Sequence, residues 1–270
     1  MTQLFATDLD GTLLNSFGEI SQSNIDALQR AKNAGLHVVF VTGRPPRWMH
    51  RMGDATGHHG HAICANGALV LDIASGEIIS ADYLTQDLGL EIVEQLKRLD
   101  GGMSFAVEVV DDENPFLLDH TYQPRWEISR EVPRIPVTEM LTKKTIVKLL
   151  ARPSSKLNVN ADQFVQAAHE AVGHLADLTN SNSDDALLEV SPKGVNKGSA
   201  LANFARELGI DQSLVAAVGD MPNDVPMIEW AGIGAAVSNA HHSVKAVADI
   251  HLPSNDEDAV AFFIQHLLGA

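Results

Sequence analysis

The stretch Gln3-Leu4-Phe5-Ala6-Thr7-Asp8-Leu9-Asp10-Gly11-Thr12 passes directly from a short apolar run into an acidic loop. Residues 3–7 read as a short buried strand. Asp8 and Asp10, two positions apart just past its end, point into the same crevice. Gly11 permits a sharp turn, and backbone N–H groups there can form a nest for an anion. Taken alone the segment reads equally as a turn and cap, because Asp, Gly and Thr all favour turns.

Working outward, Ser21 or Ser23 caps a helix whose apolar positions Ile25, Leu28 and Ala31 recur at helical spacing, with Gly35 placed to end it. His37 to Val41 is a β-branched run followed by Thr42-Gly43-Arg44, and Pro45-Pro46 opens another helix. Ala62 to Cys64 is a third short strand. Strand, helix, strand, helix, strand predicts parallel pairing with helices on both faces.

The rhythm then changes. Ala68 to Ile73 and Glu77 to Ala81 flank Ala74-Ser75-Gly76, a hairpin signal. Helix (88–99), strand (104–110), a Pro-punctuated irregular stretch through Pro136, strand (145–151), helix (161–172) and strands at 174–179 and 187–190 follow. From Lys197 onward strand–helix alternation returns: helix 197–208, strand 215–218, helix 222–230, strand 233–237 and a last helix over 256–268. The expected architecture is a doubly wound parallel α/β core, residues 1–83 and 188–270, with an inserted α+β module at 84–187. In such sheets the ligand crevice lies beyond the carboxyl ends of the strands.

Composition narrows the function classes. The 270 residues carry 19 Lys plus Arg against 35 Asp plus Glu, a formal charge of −16, which disfavours nucleic acid and anionic lipid as partners. A single cysteine, Cys64, excludes an intrachain disulfide and a cysteine-based zinc site. No run approaches the roughly 18 apolar residues of a membrane span, and no signal-peptide pattern precedes Leu4, so a cytoplasmic protein is expected.

Three further strand-end motifs carry chemistry. In Thr42-Gly43-Arg44 a hydroxyl, a bare backbone N–H and a guanidinium all suit a phosphate, although Arg44 equally suits a salt bridge to a nearby acid. In Ser191-Pro192-Lys193-Gly194-Val195-Asn196-Lys197-Gly198, Lys197 stands at a helix start, where the dipole disfavours a cation. Val218-Gly219-Asp220-Met221-Pro222-Asn223-Asp224 follows an apolar strand and opens a helix; a simple N-cap accounts for one of its acids, not for the whole string.

With these four motifs in order, the chain resembles the haloacid dehalogenase-like phosphatases. Asn66-Gly67-Ala68, the long insertion and the ending Asn239-Ala240 to Asp258 resemble the Cof-type (type IIB) branch; Val237 and Ala259 depart from its pattern. The resemblance implies that Asp8 is a nucleophile taking up a phosphoryl group and that Asp10 is the acid and base for leaving group and water. Thr42, Gly43, Arg44, Asn223 and the Leu9 backbone N–H would hold phosphate oxygens. Lys197 would lie between Asp8 and phosphate; at an effective dielectric of about 20, a close pair of like charges repels by roughly 4 kcal/mol. Asp8, Asp10 (through its carbonyl) and Asp220 would hold Mg²⁺, with Asp224 completing the metal shell, an all-oxygen donor set. The expected reaction is hydrolysis of a small phosphorylated metabolite, a sugar phosphate or cofactor-type phosphomonoester. A phosphosugar mutase or a phosphometabolite sensor on the same scaffold is the alternative. A monomer or homodimer is expected.

Other features read as structural. His58, His59 and His61 resemble a metal cluster but are expected in a solvated loop, and His241-His242 likewise. Trp48 and Met49 are expected as core or crevice wall. Tyr122, Arg125 and Trp126 either read substrate or pack beneath a Pro-rich loop, the latter preferred.

Overall fold

Leu4, Phe5 and Ala6 have no solvent exposure, since their strand is covered on both faces and paired on both edges. The computed structural model describes residues 2–110, 114–124, 132–154, 161–180 and 186–269, the side chains of 161 and 162 apart. By its internal contacts the chain forms two units, 1–80 with 196–270, and 81–195.

The first unit begins with β1 (Leu4–Thr7), α1 (Gln22–Asn33), β2 (His37–Val41), α2 (Met49–Thr56), β3 (His61–Cys64), β4 (Leu69–Asp72) and β5 (Ile78–Ala81). Ser21 caps α1 by accepting the Asn24 N–H at 3.1 Å, and the left-handed Gly35 closes it.

The second unit contains α3 (Gln86–Leu99), β6 (Ser104–Val109), β7 (Phe116–Leu118), α4 (Val137–Lys143), β8 (Ile146–Arg152), α5 (Ala161–Val172), β9 (Ala176–Thr179) and β10 (Leu188–Pro192). Its sheet runs β7-β6-β8-β10-β9, each of these pairs antiparallel. Phe105, Val107, Leu149 and Val190 on one face pack with Ile92, Leu96 and Phe164, while Ala106 and Leu150 on the other pack with Phe116, Leu118 and Tyr122.

The chain returns through α6 (Lys197–Glu207), β11 (Val215–Gly219), α7 (Val225–Trp230), β12 (Ile233–Ala236), α8 (His242–Val247), β13 (Ile250–His251) and α9 (Ala259–Leu268). The first unit's sheet has the order β13-β12-β11-β1-β2-β3-β4-β5, with β3–β4 antiparallel and the strands from β13 to β3 parallel. The chain therefore winds outward from β1 in both directions.

Several expectations are corrected. The return to the core was placed at 188, but Leu188 to Pro192 pairs with β8 and β9 in the second sheet, and the unit boundary falls after Val195. The stretch before Pro136 contains β7, and Val137, Met140 and Leu141, spaced i, i+3, i+4, form the buried face of α4, which prolines on its upstream side had obscured. The last helix starts at Ala259, because Ser254 and Glu257 cap a separate turn and Asp258 takes φ +57°. His58 is buried, its ring centroid 4.5 Å from that of Phe40, and burial pushes its pKa down to about 4. Tyr122 packs in the core; Arg125 and Trp126 lie outside the described residues.

Candidate active site

Because β1, β2, β3 and β11 run parallel, their carboxyl ends share one edge, and the loops beginning at Asp8, Thr42, Ala65 and Asp220 lie along it. The Asp8 N–H still donates to the Val218 carbonyl at 3.0 Å, so strand pairing fixes this residue. The chain then makes a tight turn, Leu9–Leu13, with Leu9 buried and Gly11 at φ +76°. A Cβ on Gly11 would lie 2.3 Å from Asp220 Oδ2, so the residue must be glycine for the Asp220 carboxylate to approach. Thr12 Oγ1 donates to Asp220 Oδ1 at 3.2 Å, and Asn239 Nδ2 donates to the Gly11 carbonyl at 2.8 Å.

Lys197 is the first residue of α6, whose N-cap Asn196 accepts the Ser199 N–H at 2.9 Å. It is 1% exposed and donates to Asp8 Oδ1 at 2.7 Å and to Asp224 Oδ1 at 2.5 Å. Burial opposes its charge, but Asp224 and Asp8 outweigh it and hold the ammonium above the usual lysine range. These carboxylates also offset the unfavourable helix-terminus position. Asp224 accepts the Asp220 and Met221 N–H groups at 3.0 Å on its other oxygen, so one side chain fixes both the cation and the loop.

Asp8, Asp220 and Asp224 each offer an oxygen within 4.8 Å of the others. Burial raises Asp8 to about 7 and Asp220 to about 9; Lys197 opposes both shifts, while neighbouring acids, Asp224 among them, add to them. Charging all three buried carboxylates around one ammonium would leave an excess of negative charge, the repulsion that these raised values express and that a bound cation would relieve; Asn223 Oδ1 is buried with no hydrogen-bond partner among the described residues. This all-oxygen set suits a hard divalent cation.

The Asp10 carboxylate lies apart from this cluster. It is 57% exposed and held by Arg44, which donates from Nε to Oδ2 at 2.7 Å and from Nη2 to Oδ1. The Arg44 guanidinium also lies 5.1 Å from the Trp48 ring centroid and donates to Met52 Sδ. Of the two roles left open for Arg44, the structure displays the salt bridge. Thr42 is buried, and its Oγ1 accepts the Arg44 N–H at 3.0 Å. The pairing of Thr7 with Phe40 sets the Asp8 and Thr42 loops side by side. Asn223 is buried and donates from Nδ2 to Asn66 Oδ1 at 3.0 Å. Asn66 and Asn239 were missed as site residues; the Asn-Gly pair directly after β3 was the available signal for the former.

The haloacid dehalogenase-like hydrolase family matches residues 5–264. The chain is a haloacid dehalogenase-like hydrolase. This hydrolase is 30% identical to the pyridoxal phosphate phosphatase YbhA of Escherichia coli over 277 residues, 99% of each chain. It is also 30% identical to the 5-amino-6-(5-phospho-D-ribitylamino)uracil phosphatase YwtE of Bacillus subtilis, over 97% of each. A haloacid dehalogenase-like hydrolase from B. subtilis superposes with a TM-score of 0.82 at 27% identity, covering 98% of this chain and 100% of the other. The hydrolase is therefore a phosphatase of the Cof-type branch. No helix among its described residues is long and apolar enough to cross a membrane.

Proposed function

We propose that this phosphatase hydrolyses a small phosphomonoester metabolite, a sugar phosphate or cofactor-type ester, by way of a phosphoryl group carried on Asp8. The observation supporting this reading most directly is the buried Lys197 bound at once to Asp8 and Asp224, with Asp220 alongside. A carboxylate held against an ammonium is a nucleophile beside the cation its anionic substrate requires.

In the first step an Asp8 oxygen bonds to phosphorus while the ester P–O bond breaks, and Asp10 gives its proton to the departing alkoxide. In the second, Asp10 takes a proton from water, the water oxygen bonds to phosphorus, and the Asp8–phosphorus bond breaks to release phosphate. Arg44 holds the Asp10 carboxylate; Thr42, Gly43 and the Leu9 N–H receive phosphate oxygens; Asp224 positions Lys197. Mg²⁺, held by Asp8, Asp220 and the Asp10 carbonyl, would supply charge neutralisation at the transferring group. The substrates named for YbhA and YwtE, phosphate esters of small cofactor-like molecules, favour the same class here.

Phosphate release from p-nitrophenyl phosphate, with Mg²⁺ or with EDTA, tests this. Wild type is expected to release phosphate only with Mg²⁺, and Asp8→Asn to lose on the order of 10⁴-fold or more. Full activity in folded Asp8→Asn sinks the proposal.

A further inference from the structure

The loop between β12 and α8, residues 237–241, grips both acid-bearing loops of the site. The His241 N–H donates to the Asp220 carbonyl at 2.7 Å, and Asn239 Nδ2 donates to the Gly11 carbonyl at 2.8 Å. Asn239 is exposed, yet both ends of its amide are engaged, because Oδ1 accepts the Asn255 N–H at 3.0 Å. A backbone carbonyl only accepts and a backbone N–H only donates, so these two bonds fix which end of the amide is which. Asn255, in the turn after β13, is buried and donates from Nδ2 to the Leu14 carbonyl at 2.9 Å. The turn that follows Asp8 is therefore tied, at Gly11 and at Leu14, to loops 228 and 241 positions further along the chain.

What the tie at Gly11 controls follows from the peptide on which it falls. The Gly11 carbonyl and the Thr12 N–H share one plane, so a bond to the carbonyl sets the direction in which the chain enters Thr12. Thr12 is the residue whose Oγ1 donates to Asp220 Oδ1, and Gly11 is the one whose missing Cβ admits the Asp220 carboxylate. Asp8 is fixed by strand pairing, so a rotation of this peptide changes the spacing between the Asp8 and Asp220 carboxylates. We infer that Asn239 is a positioning residue that sets this spacing, through Gly11 and Thr12, for a small cation of fixed geometry. Mg²⁺ demands near-ideal octahedral coordination at about 2.1 Å, whereas Ca²⁺ accepts a flexible shell at about 2.3–2.6 Å. Slack in the carboxylate set therefore weakens Mg²⁺ and leaves Ca²⁺ nearly as well held. The inference rests on the phosphatase reading for the identity of the cation.

Asn239→Ala removes both bonds. Asn239→Asp has the same shape and keeps the acceptor for Asn255, but sets an oxygen against the Gly11 carbonyl. An added carboxylate attracts cations, so a weaker Mg²⁺ response in this variant cannot arise from its charge. The first readout is the concentration of Mg²⁺, and separately of Ca²⁺, that half-maximally raises the melting temperature, which requires no turnover. The second is kcat and KM for p-nitrophenyl phosphate at the wild-type half-maximal Mg²⁺. Both variants are expected to need about 10-fold more Mg²⁺, with the Ca²⁺ requirement moved by less than about 2-fold. At that fixed Mg²⁺, kcat should fall by about 5-fold with little change in KM, since the loop after β2 is untouched.

An Asn239→Ala variant with the wild-type Mg²⁺ midpoint overturns the proposal, as do equal shifts for Mg²⁺ and Ca²⁺, the mark of a general loosening. Asn239→Asp equal to wild type overturns it as well, because the bond to Asn255 would then be the one that matters. So does a wild type whose melting temperature is raised by only one of the two ions, or by neither. Should Asn239→Ala not fold, Asn239→Asp decides by the same two midpoints. If wild type hydrolyses no ester, the phosphatase reading fails while the melting data still judge Asn239.

Discussion

Among the described residues, each unit buries a lysine against carboxylate, and the two are held differently. In the second unit Lys148 lies on β8, donates to Glu189 Oε2 at 2.8 Å on β10, and stands in register with Glu108 on β6. Regular strand pairing brings these residues together. In the first unit Lys197 starts a helix, against the dipole, and its partners come from two strand-end loops 189 and 27 positions away. Three carboxylates crowd it. The strand lysine is a cross-strand pair within a sheet; the loop lysine sits in a charge imbalance that a ligand can relieve.

The sharpest break between them is Lys197→Met. Turnover is expected to fall by on the order of 10³-fold. Its unfolding midpoint should fall as well, since Asp8 and Asp224 stay buried without their cation, and Mg²⁺ should recover stability but not turnover. Unfolding curves with and without Mg²⁺ check this; recovered turnover would contradict the assignment.

Lys148→Met is the matching cut in the sheet. Taking the ammonium away from the buried Glu189 should cost about 3–5 kcal/mol, read from urea unfolding, and Mg²⁺ should not restore it. An unchanged midpoint would mean that the pair contributes nothing net.

His58 extends the contrast to a buried group that is neutral instead of paired. Its ordinary pKa of 6.5 falls to about 4, through burial first, then the charges of Lys32, His61 and His59. The unfolded chain therefore binds the proton more readily. His58 costs no stability above pH 6.5; stability is lost as pH falls toward 4, by roughly 3 kcal/mol. The wild-type-minus-His58→Gln difference in stability should slope across that window; a flat difference would place His58 in solvent.

The smallest effect is expected at Lys193, four residues before Lys197 in the same glycine-containing segment. It is 56% exposed and pairs with Asp177 at 3.2 Å, so Lys193→Ala should change stability by less than about 1 kcal/mol. A loss as large as that at Lys148 would mean that exposure is a poor guide here.

These residues also mark what the sequence made legible. β2, with its β-branched run, and α5, with its 3.6-residue pattern, stand where local periodicity placed them, and Asp8, Lys197, Asp220 and Asp224 converge because each lies at or near a strand or helix terminus. Local pattern failed where a partner decides the outcome. β10 reads as a strand in either unit, and its pairing alone assigns it to the second. Histidine reads as polar, and the burial of His58, in the loop between α2 and β3, depends on Phe40 of β2. The role proposed for Asn239 rests on Gly11, 228 positions away.

The interlock of Gly11 with Asp220 and the central place of β1 bear on how the chain is made. During synthesis β1 can pair with β2 early, but its other edge waits for Val215 to Val218, and until then is open to pairing with other chains. All strands of the second sheet lie between those two events. A nascent chain therefore carries Asp8, the proposed nucleophile, at the end of a half-finished strand through most of translation. Its counter-charge at Lys197 and the acids that crowd it arrive in the last third, so a ribosome stalled before Asp224 holds a chain with no assembled site.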